Sequence, residues 1–431
     1  MTQLTVSPDK RRKIIEQFFP DPHQHAAIYK DLHRHPELSC QESRTASIVS
    51  ARLETLGFEV QRGIGGHGVV GVFRNGEGQN VLLRAELDAL PIKENTGLPY
   101  ASKVEQIDAD GYQKAVMHAC AHDMHMTCLL AVAALLRDAR EAWSGKLICL
   151  FQPNEERLLG ARAMVDDGLF WRIPFPDVCL AQHGVPTKSG TIALKPGRVL
   201  GYLHSLDVRI YGRGTHGATP QLGVDPIVLA SSIITRLQSL VARELDPKEP
   251  VVITYGSFHA GTDASIIPDY ADFKLDVRTF SEKTQQLAVA AVERIIRKEC
   301  EVSGAPIAPR LATVVSSPAI DNDEAATSAF ADVLETYYGD RASEVIQTMP
   351  LDIVADDFVL LAMPPGVKQI PYVYWNIGVT DPETWDEANR DGKLRDLPCT
   401  HNATYAPVIE PTLRTGIEAL ALSALTFLEL R

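Results

Sequence analysis

The chain has 431 residues, 45% of them apolar, which is too long for one ordinary core and suits a main domain plus a smaller one. Its formal net charge of −13 disfavours nucleic acid and anionic membrane surfaces as partners, because both need compensating lysines and arginines. A small substrate stays open, since a local pocket can differ in sign from the surface around it.

Residues 1–16 are polar and charged, without the apolar run and small-residue cleavage site of a secretory signal. Seven cysteines, at positions 40, 120, 128, 149, 179, 300 and 399, are an odd number in a large chain without a signal. Reduced thiols and a cytoplasmic location are therefore expected. The most apolar later segments, 228–240 and 417–430, are short and broken by Arg236 and Glu418, so neither is expected to span a bilayer.

Residues 22–56 read as helical, with Ser39-Cys40-Gln41-Glu42 as a candidate capping box. Short apolar runs follow at 69–73, 80–86, 146–152, 176–182 and 372–377, with helical patterns such as 126–137 and 160–167 between them. Strands without polar alternation, separated by helices, predict an α/β domain whose mixed, largely parallel sheet is covered by helices. Ligands of such sheets bind beyond the carboxyl ends of the strands.

From about residue 203 the pattern changes. Strand-like 204–210, helical 226–244, strand-like 251–258 and 271–278, helical 285–298 and strand-like 309–315 give a β-α-β-β-α-β order. That order fits an inserted ferredoxin-like domain at 203–315, leaving 1–202 and 316–431 as a discontinuous catalytic, metal-binding domain.

Polar residues collect just beyond the candidate strands. Asp88 follows the run 81–83, Glu155-Glu156 follows 150–152, and His183 follows 179–181. His118-Ala119-Cys120-Ala121-His122-Asp123-Met124-His125 immediately precedes a helical run. Singly, each has a bland account: a lone histidine with satisfied nitrogens, acids at a helix start, a cysteine acting as a small buried hydrophobe. Together they suggest a metal site. Cys120 and His122 would not share a helix face, but can converge from an extended loop. A thiolate, imidazoles and a carboxylate suit zinc or a neighbouring divalent transition ion, whereas calcium and magnesium prefer oxygen ligands. Of the adjacent glutamates, one can bind metal while the other accepts a proton from the attacking water.

Three competing classes are weaker. A Cys-His nucleophilic pair would leave Glu155-Glu156 idle. A glycosidase needs carboxylates on opposite sides of a sugar, which adjacency does not establish. The non-enzyme alternative is a noncatalytic binding or scaffold protein for amino-acid conjugates that keeps a metal-stabilised fold.

Further motifs extend the pattern along most of the chain: Leu-His-Arg-His-Pro-Glu-Leu at 32–38 with Glu42, Arg-Ala-Glu-Leu-Asp-Ala-Leu-Pro at 84–91, and Gln-Pro-Asn-Glu-Glu at 152–156 with Gly160-Ala161. His-Gly-Ala-Thr-Pro at 216–220, Val224-Asp225-Pro226, Gly261-Thr262, Ile267-Pro268-Asp269, Asp357-Phe358 and His401 follow in order. In these motifs the chain resembles the aminoacylase and carboxypeptidase metallohydrolases of peptidase family M20, in the subgroup of hippurate and auxin-conjugate hydrolases.

The resemblance implies two divalent ions per subunit, zinc or manganese, held by Cys120, His122, Glu156, His183 and His401, with Glu155 as the base. It gives Asp88 the task of holding a metal-ligating side chain in position. The inserted domain becomes a lid and homodimer surface, and His216 a donor that stabilises the oxyanion across the dimer. The implied reaction is hydrolysis of the amide bond in a small N-acyl amino acid, amino-acid conjugate or dipeptide, with no nucleic-acid or membrane partner.

Departures from the family pattern concern specificity more than reaction class. Glu86 stands where aspartate is commoner, and Ala121 replaces the usual glycine, which asks whether that loop needs a positive φ or only a small side chain. Ser265 replaces an asparagine, Gln221 a histidine, and Ala355-Asp356 a Ser-Glu pair. These four are candidate substrate-region positions.

Overall fold

The computed structural model describes residues 8–109 and 111–431; residues 1–7, the start of the polar N-terminal stretch, lie outside the described residues. The chain forms two compact units. One comprises Met1–Val199, Asp321–Pro350 and Asp357–Arg431, the other Leu200–Ile320 and Leu351–Asp356.

The first unit is built on a mixed sheet in the order Glu59–Ile64, Gly68–Asn75, Trp143–Gln152, Asn80–Glu86, Val178–Lys188, Tyr372–Thr380, Ile192–Leu194, Ile346–Thr348. The four central strands, from Trp143–Gln152 to Tyr372–Thr380, run parallel, and antiparallel pairings flank them on either side. Burial of every residue from Val81 to Glu86 explains why the central strands lack polar alternation: both faces are covered. Two helices supply much of that cover. His122–Asp138 and Thr412–Phe427 are buried almost all round and share one core with Leu83, Phe151, Leu180 and Trp375. No described helix is long and apolar enough to cross a membrane. A separate two-stranded sheet pairs Glu105–Ile107 with Gln113–Ala115.

The second unit carries a four-stranded antiparallel sheet in the order Val251–Ala260, Tyr270–Thr279, Tyr202–Tyr211, Arg310–Ser317. Its helices, Pro226–Arg243 and Glu282–Val302, bury Leu229, Ile233, Leu237, Val292 and Ile296 against Leu206, Val208, Phe273 and Leu275 of the sheet. Asp225 starts the first of these helices by accepting the amides of Ile227 and Val228.

The candidate capping box at 39–42 does not form. The helical stretch 22–56 divides into Pro22–Arg34 and Ser43–Thr55, and Glu42 makes no side-chain cap to the second helix. The carboxylate of Glu37 takes the amides of Arg44 and Thr45 instead, at 3.0 and 2.7 Å. Ser39 and Glu42 are thereby released for longer-range contacts.

Buried His33 ties three segments together. Its Nδ1 lies 2.6 Å from Asp123 Oδ2 at the start of the helix His122–Asp138, and its Nε2 lies 3.1 Å from Glu94 Oε1. Burial alone would lower its pKa, but the hydrogen bonds and charges of Asp123 and Glu94 prevail and raise it to about 9. The folded chain then binds the His33 proton more tightly than the unfolded chain, for which about 6.5 is normal. We expect this contribution to be complete below about pH 6.5 and lost as pH rises through about 9. Urea unfolding across that window checks it: stability should fall with pH in the native chain and fall less steeply in His33→Gln.

Ala121 answers the question its sequence position raised. It precedes the helix His122–Asp138 with φ 66°, in the left-handed region, and is fully buried. The loop therefore needs the positive φ, at a cost for a non-glycine residue of roughly 1–2 kcal/mol. Ala121→Gly trades that strain against a lost buried methyl and should shift stability by no more than about 1 kcal/mol. Ala121→Val adds β-branching to the same backbone and should lose at least about 2 kcal/mol in denaturant unfolding.

Candidate metal centre

The carboxyl ends of the parallel strands bring the sequence motifs to one place. Asp88 follows Asn80–Glu86, Glu155 and Glu156 follow Trp143–Gln152, His183 lies within Val178–Lys188, and Cys120 and His122 lead into the helix behind them. His401 arrives from the long segment after Tyr372–Thr380, anchored by its amide on the carbonyl of Ala119 at 2.8 Å.

The distances are those of a converging donor set. Cys120 Sγ lies 3.5 Å from His183 Nε2, and His122 Nε2 lies 3.5 Å from Glu155 Oε2 and 3.9 Å from Glu156 Oε1. His401 Nε2 is 3.3 Å from Glu156 Oε2. Two adjoining clusters capable of holding divalent ions, Cys120–His122–His183 and Cys120–Glu156–His401, share the Cys120 sulfur. A further group, His122–Glu155–Glu156, overlaps them.

The imidazoles are set for metal by what holds their other nitrogen. His122 Nδ1 faces the carbonyl of Asp88 at 2.8 Å, and His183 Nδ1 faces the carbonyl of Gly184 at 3.0 Å. A carbonyl can only accept, so each Nδ1 carries the ring proton and each Nε2 presents its lone pair to the cluster. His122 Nε2 is buried with no hydrogen-bond partner, as a metal-directed lone pair would be. Burial, with neighbouring His125 next, pulls the pKa of His183 well below its ordinary value; burial, then His122, also lowers that of His401. Both favour the neutral, ligating form. The residues present therefore fit a pair of divalent transition ions.

Asp88 is wholly buried and works through three oxygens. Its carboxylate accepts the amides of Glu155 and Glu156 at 3.1 and 3.0 Å and the Ser39 hydroxyl at 2.6 Å, while its carbonyl holds His122. Glu42, which sequence spacing read only as part of a capping box, accepts the amides of Cys40 and Asn154 at 2.8 Å each. Burial, with nearby Asp88 adding to it, pushes its carboxyl up to about 7. The turn it supports is strained: Asn154 and Leu158 adopt φ 54° and 55°, and a Cβ on Gly160 would stand 1.6 Å from the Pro153 carbonyl oxygen. The family motif singled out Glu42 without giving it a role, and its partner Asn154 is 112 residues away.

The remaining candidate positions belong to the second unit. His216 is exposed at the end of the short strand Thr215–His216, with Nδ1 accepting the Ala218 amide at 3.0 Å. Ser265 sits beside it, its carbonyl accepting the Gly217 amide and its hydroxyl bonded to Asp263. Gln221 is exposed in the turn Pro220–Leu222. Ala355 and Asp356 lie in the segment Leu351–Asp356, where the Asp356 carbonyl accepts the Ser317 hydroxyl at 3.2 Å.

A family model for peptidases M20/M25/M40 matches residues 82–389. Hippurate hydrolase from Campylobacter jejuni is 38% identical over 319 residues, which cover 74% of this chain and 80% of that protein. Thermostable carboxypeptidase 1 from Saccharolobus solfataricus is 31% identical over 404 residues, covering 93% and 94%. Among solved structures, a dinuclear metal-binding peptidase of the M20 family from Bacillus subtilis has a TM-score of 0.70 and 25% identity, covering 96% of this chain and 99% of that one. The family match takes in the thiol-imidazole loop, the glutamate pair and His183, and the chain belongs to peptidase family M20/M25/M40.

Proposed function

We propose that this chain is a metal-dependent amidohydrolase that cleaves the amide bond of a small N-acyl amino acid, amino-acid conjugate or dipeptide. The observation that carries the reading is the convergence of Cys120, His122, Glu156, His183 and His401, with two imidazole lone pairs fixed toward the cluster by backbone carbonyls. In the proposal these five hold a pair of divalent ions, zinc or manganese. When bound, such ions polarise the scissile carbonyl and make the attacking water more acidic.

Glu155 is the proton carrier in this scheme. Its backbone is fixed by Asp88 and its carboxylate stands beside the cluster, 3.5 Å from His122 Nε2. It accepts the proton of the attacking water and returns it to the departing nitrogen as the C–N bond breaks. The products are a carboxylic acid and a free amine, that of the amino acid. A cysteine nucleophile is a poorer account, because His183, the imidazole beside Cys120, is held as a weak base and the Glu156–His401 pair would have no role.

The second unit is proposed as a ferredoxin-like lid and dimerisation surface. Its strand order and the edge strand Val251–Ala260, which exposes Val252 and Phe258, support that reading. His216 is proposed as the donor to the oxyanion in the site of a second copy. The Ala218 amide occupies Nδ1 as an acceptor, so the ring proton sits on Nε2, ready to donate. Ser265, Gln221, Ala355 and Asp356 are proposed to set which acyl and amino-acid groups are accepted. A cytoplasmic location is proposed from cysteine usage alone, seven being an odd number.

Metal-loaded protein should be screened against N-acyl amino acids and dipeptides, with products identified by mass spectrometry. Glu155→Gln should keep both ions by metal analysis and lose about 10²- to 10⁴-fold in kcat on the best substrate. Turnover equal to the native enzyme would remove Glu155 from its role.

A further inference from the structure

One chain of hydrogen bonds reaches the metal centre from the interior of the sheet and is not used by the chemistry proposed above. Arg84 and Glu86, alternate residues of the strand Asn80–Glu86, form a fully buried ion pair. Arg84 also donates to Gln152 Oε1 at 2.9 Å, and Gln152 donates to Asp357 Oδ1 at 2.6 Å. Glu86 turns its other oxygen, Oε2, to His125 Nδ1 at 2.8 Å. The far nitrogen of that ring, Nε2, accepts the amide of Gly184 at 2.7 Å. Gly184 is also the residue whose carbonyl holds His183 Nδ1 at 3.0 Å, and the same carbonyl accepts the hydroxyl of buried Tyr405 at 3.2 Å.

Each polarity in this chain is forced. An amide can only donate, so His125 Nε2 is an acceptor and the ring proton sits on Nδ1, directed at Glu86. A carbonyl can only accept, so His183 and Tyr405 both donate to Gly184. The Gly184 residue is consequently gripped at both polar atoms. It has no slack sideways either: a Cβ there would lie 2.9 Å from the Ala121 methyl, 2.9 Å from Val379 Cγ1 and 3.3 Å from His125 Nε2.

We infer that His125, oriented by Glu86, and Tyr405 are positioning residues that lock the Gly184 backbone at its amide and its carbonyl and thereby aim His183 Nε2 at the metal centre. His125 lies three residues beyond His122 on the same helix face, yet its two nitrogens are both engaged and it serves as a clamp, not as a ligand. The inference rests on the reading of His183 as a metal ligand. Removing such an outer partner of a ligating histidine typically weakens metal binding by about 10- to 100-fold.

The test uses the full chain loaded with Co²⁺, whose visible spectrum reports ligand geometry, with chelator competition giving the affinity of each ion. A glutamine amide can place an acceptor where His125 Nε2 stands, whereas an asparagine amide reaches only the Nδ1 position. His125→Asn should therefore weaken one of the two ions by about 10- to 100-fold and alter its spectrum, while His125→Gln stays near the native chain. His183→Ala should lose that same ion. Equal weakening in His125→Asn and His125→Gln, or no change in either, overturns the positioning role while leaving the ligand assignment standing. Retention of both ions in His183→Ala overturns the ligand assignment and the inference with it. Should His125→Asn fail to fold, Tyr405→Phe probes the same carbonyl from its other side and should weaken the His183 ion; unchanged affinity there overturns the inference.

Discussion

A buried carboxylate cannot remain in a protein interior without donors for its lone pairs, and the arrangement of this centre follows from how Asp88 meets that constraint. Its two oxygens receive the successive amides of Glu155 and Glu156 and the hydroxyl of Ser39. The same residue's carbonyl fixes the tautomer of His122. One residue thus sets the position of both glutamates through its side chain and the orientation of an imidazole through its backbone carbonyl, joining strand ends that are 67 and 68 residues apart in sequence. Each donor group that Asp88 holds would otherwise be a separate problem of backbone placement.

The parallel sheet makes this economy available. Asn80–Glu86, Trp143–Gln152 and Val178–Lys188 are adjacent and point the same way, so their carboxyl ends open on one crevice. Residues inside the strands serve the same end. Arg84 and Glu86 face the core yet are charged, and they persist there because Gln152, Asp357 and His125 satisfy them. Burial opposes the ionisation of Glu86, but the neighbouring Arg84 and His125 hold its pKa well below the ordinary carboxylate range. A fixed charge in the sheet is thereby transmitted to the site as geometry.

What could be read from sequence follows the same division. Apolar runs without alternation announced buried strands, and the polar residues just past their ends announced the centre, because both signals are local. The helix-like insert pattern at 226–244 and 285–298 was similarly local and corresponds to Pro226–Arg243 and Glu282–Val302. The supporting contacts were not local. His33 and Asp123 are 90 residues apart, and Ser39 and Asp88 are 49 apart. Ser39-x-x-Glu42 has the spacing of a capping box, but both side chains had stronger partners elsewhere, and Glu37 took the helix amides. His401 could be joined to the cluster only through family resemblance, since nothing in its own neighbourhood points 245 residues back to Glu156. The spacing of His122 and His125 did carry a usable signal: positions i and i+3 share a helix face, which places His125 beside the ligand loop.

The departures from the family pattern separate by where they fall. Ala121 sits in the wall around Gly184, where its methyl, a valine and the His125 imidazole leave no room for a side chain on the glycine, and Glu86 stands behind that wall, bonded to His125. At Ala121 the backbone keeps the left-handed conformation that glycine would adopt without strain, so the substitution changes the energy of the loop without changing its path. Glu86 still reaches both Arg84 and His125, so the extra methylene relative to aspartate leaves the charge chain connected. Both positions keep the backbone path and the hydrogen bonds of this wall intact. Ser265 and Gln221 lie on exposed turns of the second unit, where an altered hydrogen-bonding group meets no such packing constraint. The physical cost of change is therefore high around the buried centre, where packing and hydrogen bonds leave no room, and low on the exposed turns of the second unit.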